Sequence, residues 1–323
     1  MRLVTAILAA LLSGALAAPA SADNYPSKPI RLIVPFEAGG TSDTTARMVA
    51  AQLDKQLDTR VIVENKAGAN GMIGAAYVAK APADGYTLLH TTPAFVINAY
   101  VNKKLPYDTF KDFVPVTNVG IGTGYLLVVT PSLPAKSVQE LISHAKNSKK
   151  QLSFSSPGLG NALHLAAEMF ALEAGLKLLH VPYKGTSPAL TAVASGITDL
   201  MILPPTIAHG FLQAGKVRAL AFTGTARSPD FPDVPTMKEA GLPNLVITGT
   251  WLGWFAPAGT PPEVVQKIAL EVRKALNHPE IQAAYAKAGF TVDGRSPDDF
   301  SSFVKAESQR FGSVLKNISI DTE

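Results

Sequence analysis

Short apolar runs alternate with helix-like segments along most of the chain, and glycine-rich turns join several of these pairs. Residues 30–34 form the first apolar run. The segment that follows places five apolar residues on one helix face: Ala46, Val49, Ala50, Leu53 and Leu57. Further runs at residues 61–63 and 86–90 flank an alanine-rich helical pattern at 72–80. This order predicts parallel strands joined by right-handed crossovers.

The middle of the chain repeats this alternation. It predicts strands at residues 125–129, 152–154, 178–181, 199–203 and 217–222, with helices between them. Two stretches with many prolines and glycines, 101–124 and 227–259, show no regular pattern and are interpreted as crossings between lobes. We therefore predict a two-lobed α/β fold in which residues 23–118 and 250–323 form the first lobe and residues 119–249 the second.

Two of the predicted helices begin with a recognisable capping motif. Ser137 and Glu140 have the spacing of a capping box, and so do Thr260 and Glu263. Long helices are expected to follow at residues 262–276 and 297–315.

Four glycine-rich turns lie at residues 36–43, 67–71, 156–161 and 183–187. Each follows a strand-like run and opens a helix-like run. The start of a helix presents unpaired backbone N–H groups and the positive end of the helix dipole, which together favour an anion. Because two turns belong to each predicted lobe, the sequence indicates an anionic ligand held between the lobes.

The first 22 residues have the pattern of a secretory signal. Arg2 precedes an apolar run at residues 3–12, and Ala20-Ser21-Ala22 fits a cleavage site. We expect the mature protein to begin at Asp23 and to be exported to the periplasm. The alternative, a membrane anchor, is disfavoured because the apolar run is too short to span a bilayer.

The amino-acid composition excludes cysteine-based chemistry and argues against a nucleic-acid partner. The chain has no cysteine, which excludes disulfides, thiol nucleophiles and cysteine-ligated zinc. Its net charge of +4 suits an anionic solute, but no basic stripe with interleaved aromatic residues is present, so no nucleic-acid partner is expected.

Motifs of the common enzyme classes are also absent from the sequence. There is no G-x-S-x-G elbow, no phosphate-binding P-loop and no H-E-x-x-H, and the six histidines are widely spaced. We expect no catalytic residues, no metal and no cofactor. Two alternatives stay open, namely a periplasmic hydrolase on the same fold and a sensor subunit that presents its ligand to a membrane protein.

The motifs PFEAGGTSD, AGANGxxG, SPGLGNALHL, VPYKGTSPAL and WLGWFAPAGTP occur in this order from about Tyr25 onwards. In this order and spacing the chain resembles the Bug family, the solute-binding proteins of tripartite tricarboxylate transporters. The resemblance implies a two-lobed periplasmic binding protein of type II. Such a protein holds a small carboxylate in the cleft between its lobes and delivers it to membrane transporter subunits. We expect it to be a monomer.

The resemblance also implies the ligand-binding residues. Phe36 would flank the ligand, and the first turn would present N–H groups and hydroxyls to one carboxylate. The second turn would close the same pocket, and two segments of the second lobe would form the opposite wall. The expected set is Phe36, Gly39, Gly40, Thr41, Ser42, Gly68, Asn70, Gly71, Ser155, Gly158, Gly160, Tyr183, Lys184, Gly185 and Thr186.

Several residues allow two interpretations. Asp43 is more readily a carboxylate that caps its own helix than a ligand contact. Asn70 stands where the family usually has glycine, which changes either the ligand that fits or the stiffness of the turn. Lys184 either meets a second carboxylate or is solvated, Trp251 either covers the ligand or packs the hinge, and His164 is expected to pack rather than to act as a base. Tricarboxylates, dicarboxylates, acidic amino acids and aromatic acids all remain possible ligands.

Overall fold

The computed structural model describes residues 25–316. The predicted signal segment, residues 1–22, and the expected first mature residue Asp23 lie outside this part, as do the last seven residues of the expected first lobe. Within residues 25–316, no helix is both long and apolar enough to cross a membrane.

The first sheet has six strands, which are β1 (Ile30–Val34), β2 (Val61–Asn65), β3 (Thr87–Thr91), β4 (Phe113–Gly122), β10 (Trp251–Pro257) and β11 (Phe290–Thr291). Their order in the sheet is β11-β4-β10-β3-β1-β2. β1 pairs in parallel with β2 and β3, as the strand–helix alternation predicts, whereas β10 runs antiparallel between β3 and β4.

Two of these strands, β4 and β10, lie where the sequence shows no strand pattern. Every residue of β10 is buried, so its sequence lacks the apolar–polar alternation of a half-exposed strand. The two strands pair with each other from Phe113 to Ile121, with two register shifts. The expected lobe boundary between residues 118 and 119 therefore falls inside β4.

Six helices accompany the first sheet. Four of the five residues of the face expected for α1 (Thr41–Gln56) are confirmed, because Ala46, Val49, Ala50 and Leu53 are buried against the sheet core. The fifth, Leu57, directly follows the helix and is partly buried against the same core. The helices are α1 (Thr41–Gln56), α2 (Met72–Ala79), α3 (Ala94–Val101), α8 (Pro262–Leu276), α9 (Pro279–Lys287) and α10 (Pro297–Lys316).

One of the two predicted capping boxes is present in part, because its Glu140 carboxylate accepts from the Lys136 N–H at 2.7 Å and not from the N–H of the N-cap residue Ser137. The Ser137 hydroxyl accepts a hydrogen bond from the Glu140 N–H at 3.1 Å. The prediction at Thr260 is wrong. Its hydroxyl instead donates to the carbonyl oxygen of Pro257 at 2.8 Å, and α8 starts after Pro261 without a side-chain cap.

The second sheet has the order β7-β6-β8-β5-β9 and is also mixed. Its strands lie within two residues of the predicted positions. The strands are β5 (Leu126–Val129), β6 (Ser153–Ser156), β7 (Leu179–Pro182), β8 (Leu200–Leu203) and β9 (Arg218–Phe222), and the helices are α4 (Val138–Asn147), α5 (Ala162–Ala174), α6 (Thr186–Ala194) and α7 (Pro205–Gln213). We call the two sheets with their helices the first and second lobe, and the predicted two-lobed α/β fold is confirmed.

The lobes touch where α5 begins. Leu165 of α5 is fully buried in a cluster of first-lobe residues that includes Trp251 and Phe300. Trp251 packs edge-on against Phe300 in this cluster and does not line the cleft described below. The contact holds the start of α5 opposite the starts of the first-lobe helices.

Candidate functional site

A cleft of about 320 Å³ lies between the lobes. This volume lies within the range of small-molecule sites in proteins. Both lobes contribute to its lining, which consists of Phe36, Gly40, Thr41, Ser42, Asn70, Thr92, Ala94, Tyr125, Pro157, Asn161, Ala162, Leu163, Thr186, Pro204 and Thr250.

Five helices begin at this cleft. Thr41 and Ala94 are the first residues of α1 and α3, and Thr186 is the first residue of α6. Asn161 and Pro204 immediately precede α5 and α7. The first N–H groups of a helix have no partner inside the helix, and the positive ends of the dipoles add. The helix starts therefore favour an anion in the cleft, although none of the described side chains that line it is charged.

The first turn is held in shape by Asp43. Its carboxylate accepts hydrogen bonds from the Gly39 N–H at 2.9 Å, from Arg47 at 3.0 Å and from Asn65 at 2.9 Å. Burial alone would raise the pKa of Asp43, but these hydrogen bonds outweigh it and lower the pKa to about 2. Asp43 is thus the capping carboxylate of its own turn, and the Gly39 N–H is engaged within the turn rather than directed to a ligand.

We expect Asp43→Asn to lower the free energy of unfolding by about 2 kcal/mol near pH 7. The carboxylate has a lower pKa in the folded protein than in the unfolded chain, where it is about 3.9. Its contribution is therefore complete above pH 4 and is lost as the pH falls from 4 to about 2. Urea unfolding at several pH values would show the gap between wild type and variant closing in that window.

The exposed Asp58 provides a matched control for this experiment. Asp58→Asn removes the same charge outside the turn and should change the free energy of unfolding by less than about 0.5 kcal/mol. A gap for Asp43→Asn that stays constant down to pH 2 would contradict the role assigned to this carboxylate.

Ser42 supplies a free polar group at the cleft. Its side chain is buried, and its hydroxyl has no hydrogen-bond partner within residues 25–316. A buried hydroxyl without a partner costs free energy unless another molecule satisfies it. Ser42 also lies in the first turn of α1, where the backbone N–H groups are unpaired. Hydroxyl and N–H groups together can hold one carboxylate.

The second turn has an unusual backbone. Ala69 and Asn70 are the two residues other than glycine with positive φ among the described ones, at 46° and 49°. Asparagine tolerates this left-handed region better than most residues. The Asn70 side chain is hydrogen-bonded to Asn98, which is 1% exposed. Neighbouring Gly71 is buried against Pro35 and Phe36, with φ of 87°.

The start of α5 is shaped by histidine packing. The Gly160 N–H donates to Nδ1 of His164 at 3.1 Å, and the ring of His164 stacks on that of His180 at 3.9 Å between centroids. Burial, with a smaller effect of His164, lowers the pKa of His180 to about 4, so that ring is neutral near pH 7. His164 thus packs, as expected from the sequence.

The structure brings six of the expected ligand-binding residues into the cleft lining, which are Phe36, Gly40, Thr41, Ser42, Asn70 and Thr186. Six other expected residues are glycines outside the lining. All six have positive φ and shape the turns that carry lining residues: Gly39, Gly68, Gly71, Gly158, Gly160 and Gly185. Gly40, in contrast, has a φ of −75° that any residue adopts.

Three expected residues of the second lobe lie elsewhere. Ser155 is fully buried, and its hydroxyl donates to the carbonyl oxygen of Ala189 at 2.9 Å, so it fastens α6 to β6. Tyr183 packs against the second-lobe core, and Lys184 is exposed outside the lining. A side chain at a strand end can point into the cleft or into the core, and motif position alone does not decide between them.

Other lining residues were not in the expected set. Thr92 and Ala94 follow β3, and Ala94 is the first residue of α3. Tyr125 directly follows the first crossing, Thr250 lies in the second, and Asn161 caps α5. The helix start after β3 carries no glycine motif, so the glycine signal missed it. Pro204 does follow a predicted strand, whose end points to the cleft.

The chemistry of the cleft is that of binding. Its polar groups are hydroxyls, amides and helix N–H groups, and its walls are apolar at Phe36, Ala94 and Leu163. Residues 25–316 contain no cluster of three or more side chains suited to hold a metal ion. The arrangement can hold an anion with an apolar middle by hydrogen bonds from both lobes.

Comparison with known proteins agrees with this geometry. The profile described as "Tripartite tricarboxylate transporter family receptor" matches residues 45–320. The chain belongs to this family. The receptor family includes relatives of nearly equal length, such as BugT of Bordetella pertussis, which is 36% identical over 319 residues covering 98% of this chain and 97% of BugT. The resemblance to the Bug family is thereby confirmed.

Two solved structures similar to this receptor contain ligands. A protein of R. palustris solved with adipate is 36% identical, with a TM-score of 0.79 over 90% of this chain and 97% of that protein. MatC from Rhodopseudomonas palustris with bound malate is 32% identical, with a TM-score of 0.76 over 90% of this chain and 99% of MatC.

Proposed function

We propose that this protein is a periplasmic receptor that captures a small carboxylate between its lobes and delivers it to the membrane subunits of a tripartite transporter. The observation that carries the proposal is the convergence of five helix starts on a cleft whose lining has no charged side chain. The proposal includes export with removal of residues 1–22 and action as a monomer.

The ligand class follows from the cleft and from the relatives. Adipate and malate, the ligands of the two solved relatives, are both dicarboxylates. Here the Ser42 hydroxyl and the α1 N–H groups would hold one carboxylate, and the start of α6 at Thr186 faces the same cleft from the second lobe. A ligand that bridges α1 and α6 binds the closed arrangement better than an open one and so shifts the population toward closure.

We favour a receptor over a hydrolase because the described residues that line the cleft include no histidine, aspartate or glutamate that could act as a base beside its hydroxyls. The closest serine–histidine contact joins Ser156 and His180 at 2.7 Å. Ser156 is fully buried, and its hydroxyl donates to the carbonyl oxygen of Gly158. A substrate cannot reach that hydroxyl, so the contact is structural.

The test is a comparison of adipate, succinate and malate with their diamides by titration calorimetry and thermal unfolding. Each helix start contributes roughly 0.3–1 kcal/mol toward an anion. Even a few of them together make the diamide at least about tenfold weaker than the acid. At a concentration one hundred times its dissociation constant, the acid should stabilise the folded protein by about 2.7 kcal/mol. Equal affinity for acid and diamide, or conversion of the acid during incubation, would contradict the proposal.

A further inference from the structure

Among the described lining residues, Asn70 is the asparagine whose side-chain oxygen is free for a ligand. Its hydrogen bonds with Asn98 determine how the Asn70 amide is oriented. Asn98 Nδ2 donates to the backbone carbonyl oxygen of Asn70 at 3.0 Å. A carbonyl can only accept, so Asn98 must turn its NH₂ toward it. Asn98 Oδ1 is then left to accept from Nδ2 of Asn70, at 3.0 Å.

This pairing fixes the orientation of the Asn70 amide. One of the two protons on its Nδ2 is donated to Asn98, which lies on α3 and is 1% exposed. Its Oδ1 accepts no hydrogen bond from any protein group within residues 25–316, while Asn70 itself is exposed and lines the cleft. Asn161, the other asparagine of the lining, uses its own Oδ1 to accept from the Leu163 N–H at 2.9 Å.

Asn70 Oδ1 can only accept a hydrogen bond, whereas the hydroxyl groups of the lining can also donate one. The starts of α1 and α6 offer N–H donors, and the unpartnered hydroxyl of Ser42 can donate as well. A carboxylate oxygen beside Asn70 Oδ1 would place two acceptors against each other, whereas a hydroxyl could donate to it. An ammonium group could also donate, but it would face the positive ends of five helices with no carboxylate in the lining to pair with it.

Resting on the proposed function, we infer that Asn70 selects carboxylates that carry a hydroxyl group over the same acids without one. Asn98 acts as the positioning residue that keeps Oδ1 toward the ligand. The left-handed backbone at Asn70, with φ of 49° and ψ of 38°, places the side chain above α3 so that both hydrogen bonds to Asn98 can form.

The experiment uses matched acids of equal length. Malate, succinate and aspartate share a four-carbon dicarboxylate skeleton, and 2-hydroxyadipate with adipate gives a longer pair. We expect wild type to bind the hydroxy acid of at least one pair about tenfold or more tightly than the unsubstituted acid, and aspartate more weakly than malate. Asn70→Gly keeps the left-handed backbone accessible while removing the oxygen. It should bring the ratio of hydroxy to unsubstituted acid to within about twofold of one, mainly by weakening the hydroxy acid.

Asn98→Leu is the second variant and tests the positioning. Leucine is similar in size to asparagine but forms no hydrogen bond with Asn70. The Asn70 amide is then free to rotate, so that its Nδ2 can turn to the ligand. The preference for the hydroxy acid should fall while affinity for succinate or adipate is kept or rises. A simple loss of stability would weaken both acids of a pair alike.

The outcomes separate this inference from the proposed function. If wild type binds both acids of each pair equally, or if Asn70→Gly keeps the preference, Asn70 is not the selecting residue although the receptor function stands. Tighter binding of aspartate than malate also overturns the inference. If no acid in the panel binds, the proposed function fails together with it.

Discussion

Thr41→Asp should weaken the binding of carboxylates by this protein about a hundredfold or more and leave the fold intact. Thr41 is the first residue of α1, is exposed and lines the cleft. A carboxylate there would lie close to the ligand's own carboxylate. At about 5 Å and an effective dielectric constant of about 20, the repulsion is roughly 3 kcal/mol, which weakens binding by about a hundredfold or more.

The same substitution should not harm the helix. An acidic residue in the first turn of a helix stabilises it by roughly 0.3–1 kcal/mol through the helix dipole. Thermal unfolding without ligand should therefore show an equal or slightly higher melting temperature for Thr41→Asp. Calorimetry with adipate or malate should show no measurable heat of binding at concentrations that saturate wild type.

Thr44 offers the matched control. It is exposed in the first turns of the same helix, but it does not line the cleft. Thr44→Asp adds the same charge to α1 and should change affinity by no more than about threefold, because solvent screens a charge outside the cleft. Equal loss of binding in both variants would mean that overall charge matters and that α1 does not hold the carboxylate.

Gly253→Ala should destabilise the protein by about 3 kcal/mol. Gly253 lies in the middle of β10, where a Cβ atom would overlap Phe300, lie 2.9 Å from Trp251 and lie 3.1 Å from Phe255. All three rings are almost fully buried, so none can move aside without disturbing the packing of α10 on the sheet. The midpoint of urea unfolding should fall with an unchanged m-value.

Gly210 is the control for this prediction. It lies in α7, is exposed, and has no atom within 4 Å of the position of an added Cβ. Gly210→Ala should stabilise the protein by roughly 0.5–1 kcal/mol, because alanine loses less backbone entropy in a helix. If Gly253→Ala is as stable as wild type, the close packing around β10 described above is wrong.

Much of this architecture could be predicted from the sequence because it depends on local pattern. The parallel strands β1 to β3 and the elements of the second lobe follow apolar periodicity, and each is bounded by turn residues next to it in the chain. The turns could be predicted because glycine adopts positive φ more readily than other residues. The helix that starts at Thr41 and Ser42 directly follows one of these turns. The same motifs indicated the family.

The tertiary structure alone decided the rest, because it depends on residues far apart in the chain. β10 is a strand because β3 and β4 pair with it from both sides, and its buried sequence carries no alternation to reveal this. Ser155 turns to Ala189 and away from the cleft because α6 packs above β6. The Asn70 amide is oriented by two hydrogen bonds with Asn98, which lies 28 residues later in the chain. Sequence located the helix starts, but which atoms they present to a ligand is set by packing between segments that only the folded chain brings together.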